Sequence, residues 1–263
     1  MPPLRGCKMR ILIACIVLLV LTACDSDGRF KPTSGEDQDL GGLWAGVMSI
    51  EDPDTRQEID LGMIAISTDE GALQAYVLDF GVLTDTGIII SATAQANGSA
   101  FTASGQAFAD NSTFPDGSTL TAITLEGDLQ ERSGVSGTWN TDAGVNGTFI
   151  LDYDVEHQRN SALSLIADTW YIYDDLLNPV ATFSIDATGQ LSGSNTQGCS
   201  SLGQISIPDD QYNVYSWSAE VSSCPIAGSY TGLGTLGDFN STNDIFAVII
   251  NSDTRGQLLP LQR

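Results

Sequence analysis

Phe101-Thr102-Ala103-Ser104-Gly105-Gln106-Ala107 decides how this 263-residue chain is read. Phe101, Ala103, Gly105 and Ala107 fall on one face and Thr102, Ser104 and Gln106 on the other, the period-two pattern of a half-buried strand. Ile123, Leu125 and Leu129 against Thr124, Glu126 and Asp128 repeat the pattern, as do Phe149, Leu151 and Tyr153 against Thr148 and Asp152. Asn97-Gly98, Asp116-Gly117 and Ala143-Gly144 stand between such stretches and suit tight hairpin turns. Extended on both sides, the alternation predicts strands at 43–51, 58–67, 72–79, 87–96, 100–108, 119–129, 134–141 and 146–153.

Residues 154–161 (DVEHQRNS) carry neither periodicity nor apolar mass, so they read as a linker between two domains, 41–153 and 162–263. The second domain opens on Ala162-Leu163-Ser164-Leu165-Ile166, read as one helical turn. Strands follow at 169–174, 179–186, 189–194, 202–208, 211–222, 226–234, 244–250 and 256–261. Phe183 and Ile185 alternate with Thr182 and Ser184, and Tyr215, Trp217, Ala219 and Val221 form another face. Many short strands joined by short turns favour an antiparallel meander, and closing it removes exposed edges. The expected fold is therefore all-β: two antiparallel meander barrels or sandwiches of about eight strands each. Leu40 to Trp44 and Leu165 to Trp170 open the two segments alike, which suggests a duplication.

Composition agrees. Charged residues make up 16% of the chain, and Gly alone contributes 27 residues, the balance of a turn-rich β protein. Two features lie upstream of the strands. Arg5, Lys8 and Arg10 precede an unbroken apolar run, Ile11 to Leu21, too short to span a bilayer as a helix. Residues 25–40 (DSDGRFKPTSGEDQDL) are polar and read as a flexible tether.

Leu21-Thr22-Ala23-Cys24 resembles the lipobox of bacterial lipoproteins. The resemblance implies cleavage after residue 23, acyl chains on Cys24 and a location in the cell envelope. Lipid chains in pairs or more give stable anchoring. On this reading the protein is periplasm-facing. The outer membrane is favoured, although Asp25 resembles an inner-membrane retention signal in enteric bacteria. Arg5, Lys8 and Arg10 fall in the removed part, which leaves seven basic against 33 acidic residues, a net charge of −26. So acidic a chain disfavours nucleic acid, whose binding rests on Lys and Arg at phosphates. Cys199 and Cys224 remain, and an oxidising envelope lets them form a disulfide. It would close a loop worth about 3–4 kcal/mol in the chain-entropy account.

Gly42-Leu43-Trp44 resembles the G-x-W that opens the first strand of calycin barrels, the group of lipocalins and avidins. The resemblance implies that Trp44, or Trp170 in the second segment, closes one barrel end. A late Arg or Lys packs over that Trp in the group. Arg263 follows the last strand and fits that place over Trp170; Arg132 comes too early in the first segment. The chain as a whole also resembles bacterial lipoproteins with small β-barrel domains and no assigned activity.

Catalytic constellations are scarce. The one histidine, His157, falls in the linker, away from any nucleophile it would have to activate. Asp52/Asp54, Asp174/Asp175 and Asp209/Asp210 are carboxylate pairs of the kind glycoside chemistry uses, yet all lie at predicted turns, where Asp bonds its own backbone. No metal site or cofactor is expected. The sequence thus favours a non-catalytic binding or structural module, held at the membrane through Cys24, with an envelope protein or glycan as partner. The alternatives are a calycin-like carrier of a small apolar ligand and a carboxylate-dependent glycoside hydrolase. An open lumen above roughly 300 Å³ would favour the carrier, and two facing buried carboxylates the hydrolase. Large inward side chains such as Phe183, Tyr215 and Trp217 would fill the second lumen.

Overall fold

The structure, a computed structural model, describes residues 38–51, 58–78, 87–109 and 114–263. The signal segment, Cys24, the tether up to residue 37, and Asp52 and Asp54 lie outside the described residues. Two closed antiparallel barrels of eight strands each follow one another along the chain. The first is built from β1 Gly42–Glu51, β2 Glu58–Ser67, β3 Ala72–Leu78, β4 Gly87–Asn97, β5 Ala100–Ala109, β6 Leu120–Gln130, β7 Gly134–Thr141 and β8 Asn146–Tyr153. The second comprises β9 Thr169–Tyr173, β10 Pro179–Ile185, β11 Gln190–Asn195, β12 Ser200–Ser206, β13 Tyr215–Ser222, β14 Gly228–Gly237, β15 Ile245–Asn251 and β16 Gly256–Gln262. In each barrel every strand pairs with its chain neighbours, and the first also pairs with the last.

The alternation that predicts the strands also fills the lumens. Along β5, Phe101, Ala103 and Ala107 are buried while Thr102, Ser104 and Gln106 face out. They join Trp44, Met48, Trp139 and Phe149 in the first core, and Trp170, Tyr215, Trp217 and Phe246 fill the second. The two-residue turn between Asn97 and Ala100 carries Gly98 at φ +59°, a left-handed geometry that glycine adopts without strain.

Some strands bury both faces. On the outside of the first barrel Leu43, Ile66, Ile89 and Phe108 pack against Val214, Leu233 and Ile249 from the outside of the second, all within one buried cluster. That is why Met63-Ile64-Ala65-Ile66, Ile88-Ile89-Ile90 and Phe246 to Ile250 are continuous apolar runs rather than alternating ones. Each large side chain so buried contributes about 1.5–3 kcal/mol, so the barrels are pressed together side by side. Gly256 is required at this contact, because a Cβ there would overlap the branched side chain of Ile89. Gln74 adds a polar tie, donating from Nε2 to Asn251 Oδ1 at 3.1 Å and to Ser91 Oγ at 2.9 Å.

The segment 154–161 departs from its reading as a bare linker. Val155–Gln158 forms a 3-10 helix whose N-cap, Asp154, accepts from the Glu156 N–H at 2.8 Å. Arg159 reaches Asp238 of the second barrel with two 2.9 Å hydrogen bonds and Glu156 with a third. His157 is 2% exposed. Polar residues here are packed because they hydrogen-bond across the two barrels, a kind of burial that hydrophobic periodicity does not register. The helical turn Leu163–Ile166 then leads into β9.

Candidate functional site

Call the junction end of each barrel the end nearest the 154–161 strap, and the far end its opposite. Antiparallel connectivity puts Gln38–Gly41 at the junction end of the first barrel. In the second, the turns 174–178, 196–199, 223–227 and 252–255 ring the far end. The two barrels differ in how they are closed at these ends.

In the first barrel Trp44 donates from Nε1 to Ser67 Oγ at 2.9 Å, and Ser67 donates on to Leu40 O at 2.6 Å. The indole folds back over Gly42, where any Cβ would collide with it, and meets the Tyr153 ring edge-on at 5.3 Å. Among the described residues, the cavity lined by this lumen's side chains holds about 20 Å³. In the second barrel Trp170 donates to Ile166 O at 2.7 Å. The Arg263 guanidinium stands 4.8 Å from the centre of its ring, within cation–π range. Arg263 also donates to Leu165 O and pairs with Asp168 at 3.4 Å. The structure thus brings Trp170 and Arg263 together at the junction end of the second barrel. Among the described residues Trp44 has no arginine over it, because Arg132 turns instead to Tyr212 and Asp39.

The far end of the second barrel holds a cavity of about 90 Å³. Tyr215 and Trp217 are buried and fill the lower lumen, but Phe183 is only half-buried, meeting Trp217 edge-on at 5.8 Å. Above them the walls are Ile172, Ala181, Ala219, Val221, Ile226, Tyr230, Ile250 and Leu259, with Ser194, Asn195, Ser201 and Gln257 as polar points. Cys199 also lines the cavity, and its disulfide to Cys224 ties the neighbouring 196–199 and 223–227 turns along one side of the rim. The expectation that three large residues fill this lumen therefore fails at its mouth. A volume near 90 Å³ is about the share of three waters and smaller than the enclosed engineered cavity that takes benzene whole, so a ring enters this one edge-first through its open mouth. It is well short of a pocket for a drug-sized ligand.

Closure of the second barrel is the cause. In the first, β1 and β8 pair from Trp44↔Tyr153 to Ile50↔Gly147. In the second, β9 and β16 share the single partner pair Gln262↔Tyr171 at the junction end, and the register of β9 on β10 shifts between Pro179 and Ala181. Hairpin β9–β10 thus splays from β16 towards the mouth, where Ile172, Gln257 and Leu259 line the cavity. Leu176 and Leu177 at its tip are exposed, Leu177 at φ +62°. Sequence reading missed this place because its signals, a five-residue first strand and a proline in the last, are small.

A second cluster sits where the barrels meet. His157 Nδ1 lies 3.0 Å from Tyr153 Oη, within hydrogen-bond distance, and the imidazole stacks on Tyr212 at 4.7 Å and 14°. Arg132 donates to Tyr212 Oη at 2.6 Å. Burial, with the charge of Arg132, holds His157 down from its ordinary 6.5 to about 4, against the pull of Asp39 and Asp209. Beside it the carboxyls of Asp39 and Asp69 hydrogen-bond each other. Asp69 stands on an exposed turn, yet its carboxyl is partly desolvated against Gly41. That desolvation, the bond to Asp39 and the Asp39 charge raise it to about 7. Asp39 moves the other way, lowered by that bond, by the Gly41 N–H and by Arg132 against its own desolvation. The crevice around them holds about 10 Å³.

Among the described residues, the pairs Asp174/Asp175 and Asp209/Asp210 picked from sequence are not brought together in this way. Asp174 accepts from the Leu176 and Asn178 N–H groups, and Asp209 from that of Gln211, as turn residues do. No protein-family model, curated protein or solved structure matches this chain.

The junction predicts two opposite pH dependences. His157, with a lowered folded pKa, gives stability that is present above 6.5 and lost as pH falls towards 4. Asp69, with a raised one, gives stability that is present below 3.8 and lost as pH rises towards 7. Urea denaturation from pH 7 to 4 should therefore show Asp69→Asn losing stability on acidification and His157→Gln gaining it. Parallel slopes for the two variants would contradict the assignment.

Proposed function

We propose that this chain is a lipid-anchored, non-catalytic binding module of the bacterial cell envelope, and that the mouth of its second barrel takes an apolar anchor group of an envelope partner. The observation that carries this reading is the asymmetry of the lumens, about 20 Å³ in the first and about 90 Å³ in the second. A filled barrel serves as support; a barrel with an apolar, polar-rimmed opening has a place to bind. The opening suits one side chain or ring edge, the way a buried anchor fills a pocket at the centre of an interface. It is too small to enclose a whole lipid or cofactor, which weighs against the carrier reading. For the hydrolase, the Asp39–Asp69 pair borders a crevice of about 10 Å³, with little room for a sugar ring.

Orientation supports the same use. Cys24 precedes Gln38, and Gln38–Gly41 enters the first barrel at its junction end, whereas the mouth opens at the far end of the second. A lipid on Cys24 would then leave the mouth pointing away from the membrane, towards the periplasm. The surface charge works with this, since 33 acidic residues disfavour lying flat on anionic head groups.

Two measurements test the proposal. Cys24→Ala should move the protein from the membrane to the soluble envelope fraction, and unchanged membrane retention would refute the anchor. Benzene titrated into the purified protein should shift the indole N–H resonance of Trp217, while those of Trp44 and Trp139 in the first barrel stay still. Ala219→Phe, which fills the mouth, should abolish the shift at a cost of about 1–3 kcal/mol in stability. A Trp217 resonance indifferent to benzene in the unaltered protein would sink the pocket.

A further inference from the structure

We infer that the splayed seam between β9 and β16 is a docking notch for a short extended peptide, neutral to basic in charge, that places one apolar side chain in the mouth of the second barrel. The inference rests on the reading of that mouth as a binding pocket and names the class of partner.

Backbone alternation shows what the notch offers. The Asp174 N–H donates to Asn178 O, so in β9 the even-numbered positions face β10, and Tyr171 and Tyr173 face β16. The Arg263 N–H donates to Asp244 O, so in β16 the odd-numbered positions face β15, and Leu258, Pro260 and Gln262 face β9. Continuing the register from Gln262↔Tyr171 sets Pro260 opposite Tyr173. Proline has no N–H, so the next rung of the ladder lacks a donor there, and proline within a sheet belongs at an edge. The pairing accordingly stops at Gln262↔Tyr171. Towards the mouth, the peptide groups of Tyr173 and Leu258 are directed into the gap between two strands that do not pair. This is an edge on both sides, the feature that accepts an added strand.

The cavity supplies side-chain selectivity at the same place. Ile172 from β9 and Gln257 and Leu259 from β16 are both walls of the notch and walls of the mouth. A peptide bonded to Tyr173 and Leu258 alternates its side chains, so one of them points into the lumen over Phe183 and Trp217. Because the strands are still joined at Tyr171, the notch has room for a short segment and not for a full strand. Charge complementarity fixes the flanks. Asp174, Asp175 and Asp253 stand in the turns around the mouth with Arg255 as the one basic residue of those turns, on a chain with 33 acidic and 10 basic residues. Acidic flanks on the peptide would be repelled, and basic ones drawn in.

Three capped pentapeptides provide the probe: Lys-Lys-Leu-Lys-Lys, Glu-Glu-Leu-Glu-Glu and Lys-Lys-Gly-Lys-Lys. Titrated into the purified protein, the first should shift the Trp217 indole resonance and slow amide exchange at Tyr173 and Leu258. The acidic peptide should bind at least about tenfold more weakly, and the glycine peptide should leave Trp217 unmoved. Pro260→Ala supplies the missing donor and lets the seam zip, so it should weaken the leucine peptide about two- to tenfold, the scale of one backbone hydrogen bond. Equal binding of the acidic and basic peptides, or undiminished binding by Pro260→Ala, would overturn the notch. So would concentration-dependent shifts of the same resonances without peptide, which would place a second copy of the chain there. If benzene shifts Trp217 but no peptide binds, the pocket stands and this inference alone fails; if neither acts, both fail.

Discussion

Closure governs this molecule. An antiparallel meander leaves its first and last strands as edges, and only their pairing turns the sheet into a barrel. The first barrel meets that condition along nearly all of β1, from Trp44 to Ile50, and its lumen is full. The second meets it at one pair, Tyr171 with Gln262, and its lumen is open at the other end. Two halves built to one plan are thereby divided in their work. Pro260, which faces β9 with no N–H to give, removes one of the two bonds of the next rung.

The remaining features hold that asymmetry in place. Trp170, covered by Arg263 and bonded to the helical turn before β9, pins the one rung that does form. The Cys199–Cys224 bridge ties two of the four turns around the mouth, so the opening lies against a stapled wall on one side and the β9–β10 hairpin on the other. The outer faces of the barrels are pressed together through Ile66, Ile89, Phe108 and Ile249, with the strap at 154–161 wedged beside them. The full barrel acts as a support that leaves the open one accessible at its far end. The buried His157 and the Asp39–Asp69 pair tune the junction with contributions of opposite sign in pH, which offset each other over the acid range.

Most of the fold is legible in the sequence because period-two alternation is a direct imprint of a lumen. Phe101, Ala103 and Ala107, or Tyr215, Trp217 and Ala219, mark their strands by spacing alone. All sixteen strands fall where that pattern puts them, with ends displaced by a few residues. The largest shift is at 211–214, which forms the loop carrying Tyr212 and Asn213 to the junction rather than the start of β13. Other features leave no such imprint. His157 reads as part of a polar linker because its burial depends on Tyr153 and Tyr212, 4 and 55 residues away in the chain. The pairing of Asp39 with Asp69 is a contact between a barrel entrance and a turn, with no local signature. The mouth of the second barrel is obscured because its inward residues are large, and the effect of Pro260 depends on which neighbour its nitrogen faces.

Amide hydrogen exchange along the closing strands tests the central claim most directly. If closure of the second barrel rests on one rung, Tyr171 and Gln262 should be protected while Tyr173 and Leu258 exchange quickly, and Ala45, Val47, Ser49 and Ile150, whose amides face across the first barrel's seam, should be protected throughout. Uniform protection along β9 and β16, equal to that of β1 and β8, would show a barrel closed over its full height and contradict the account.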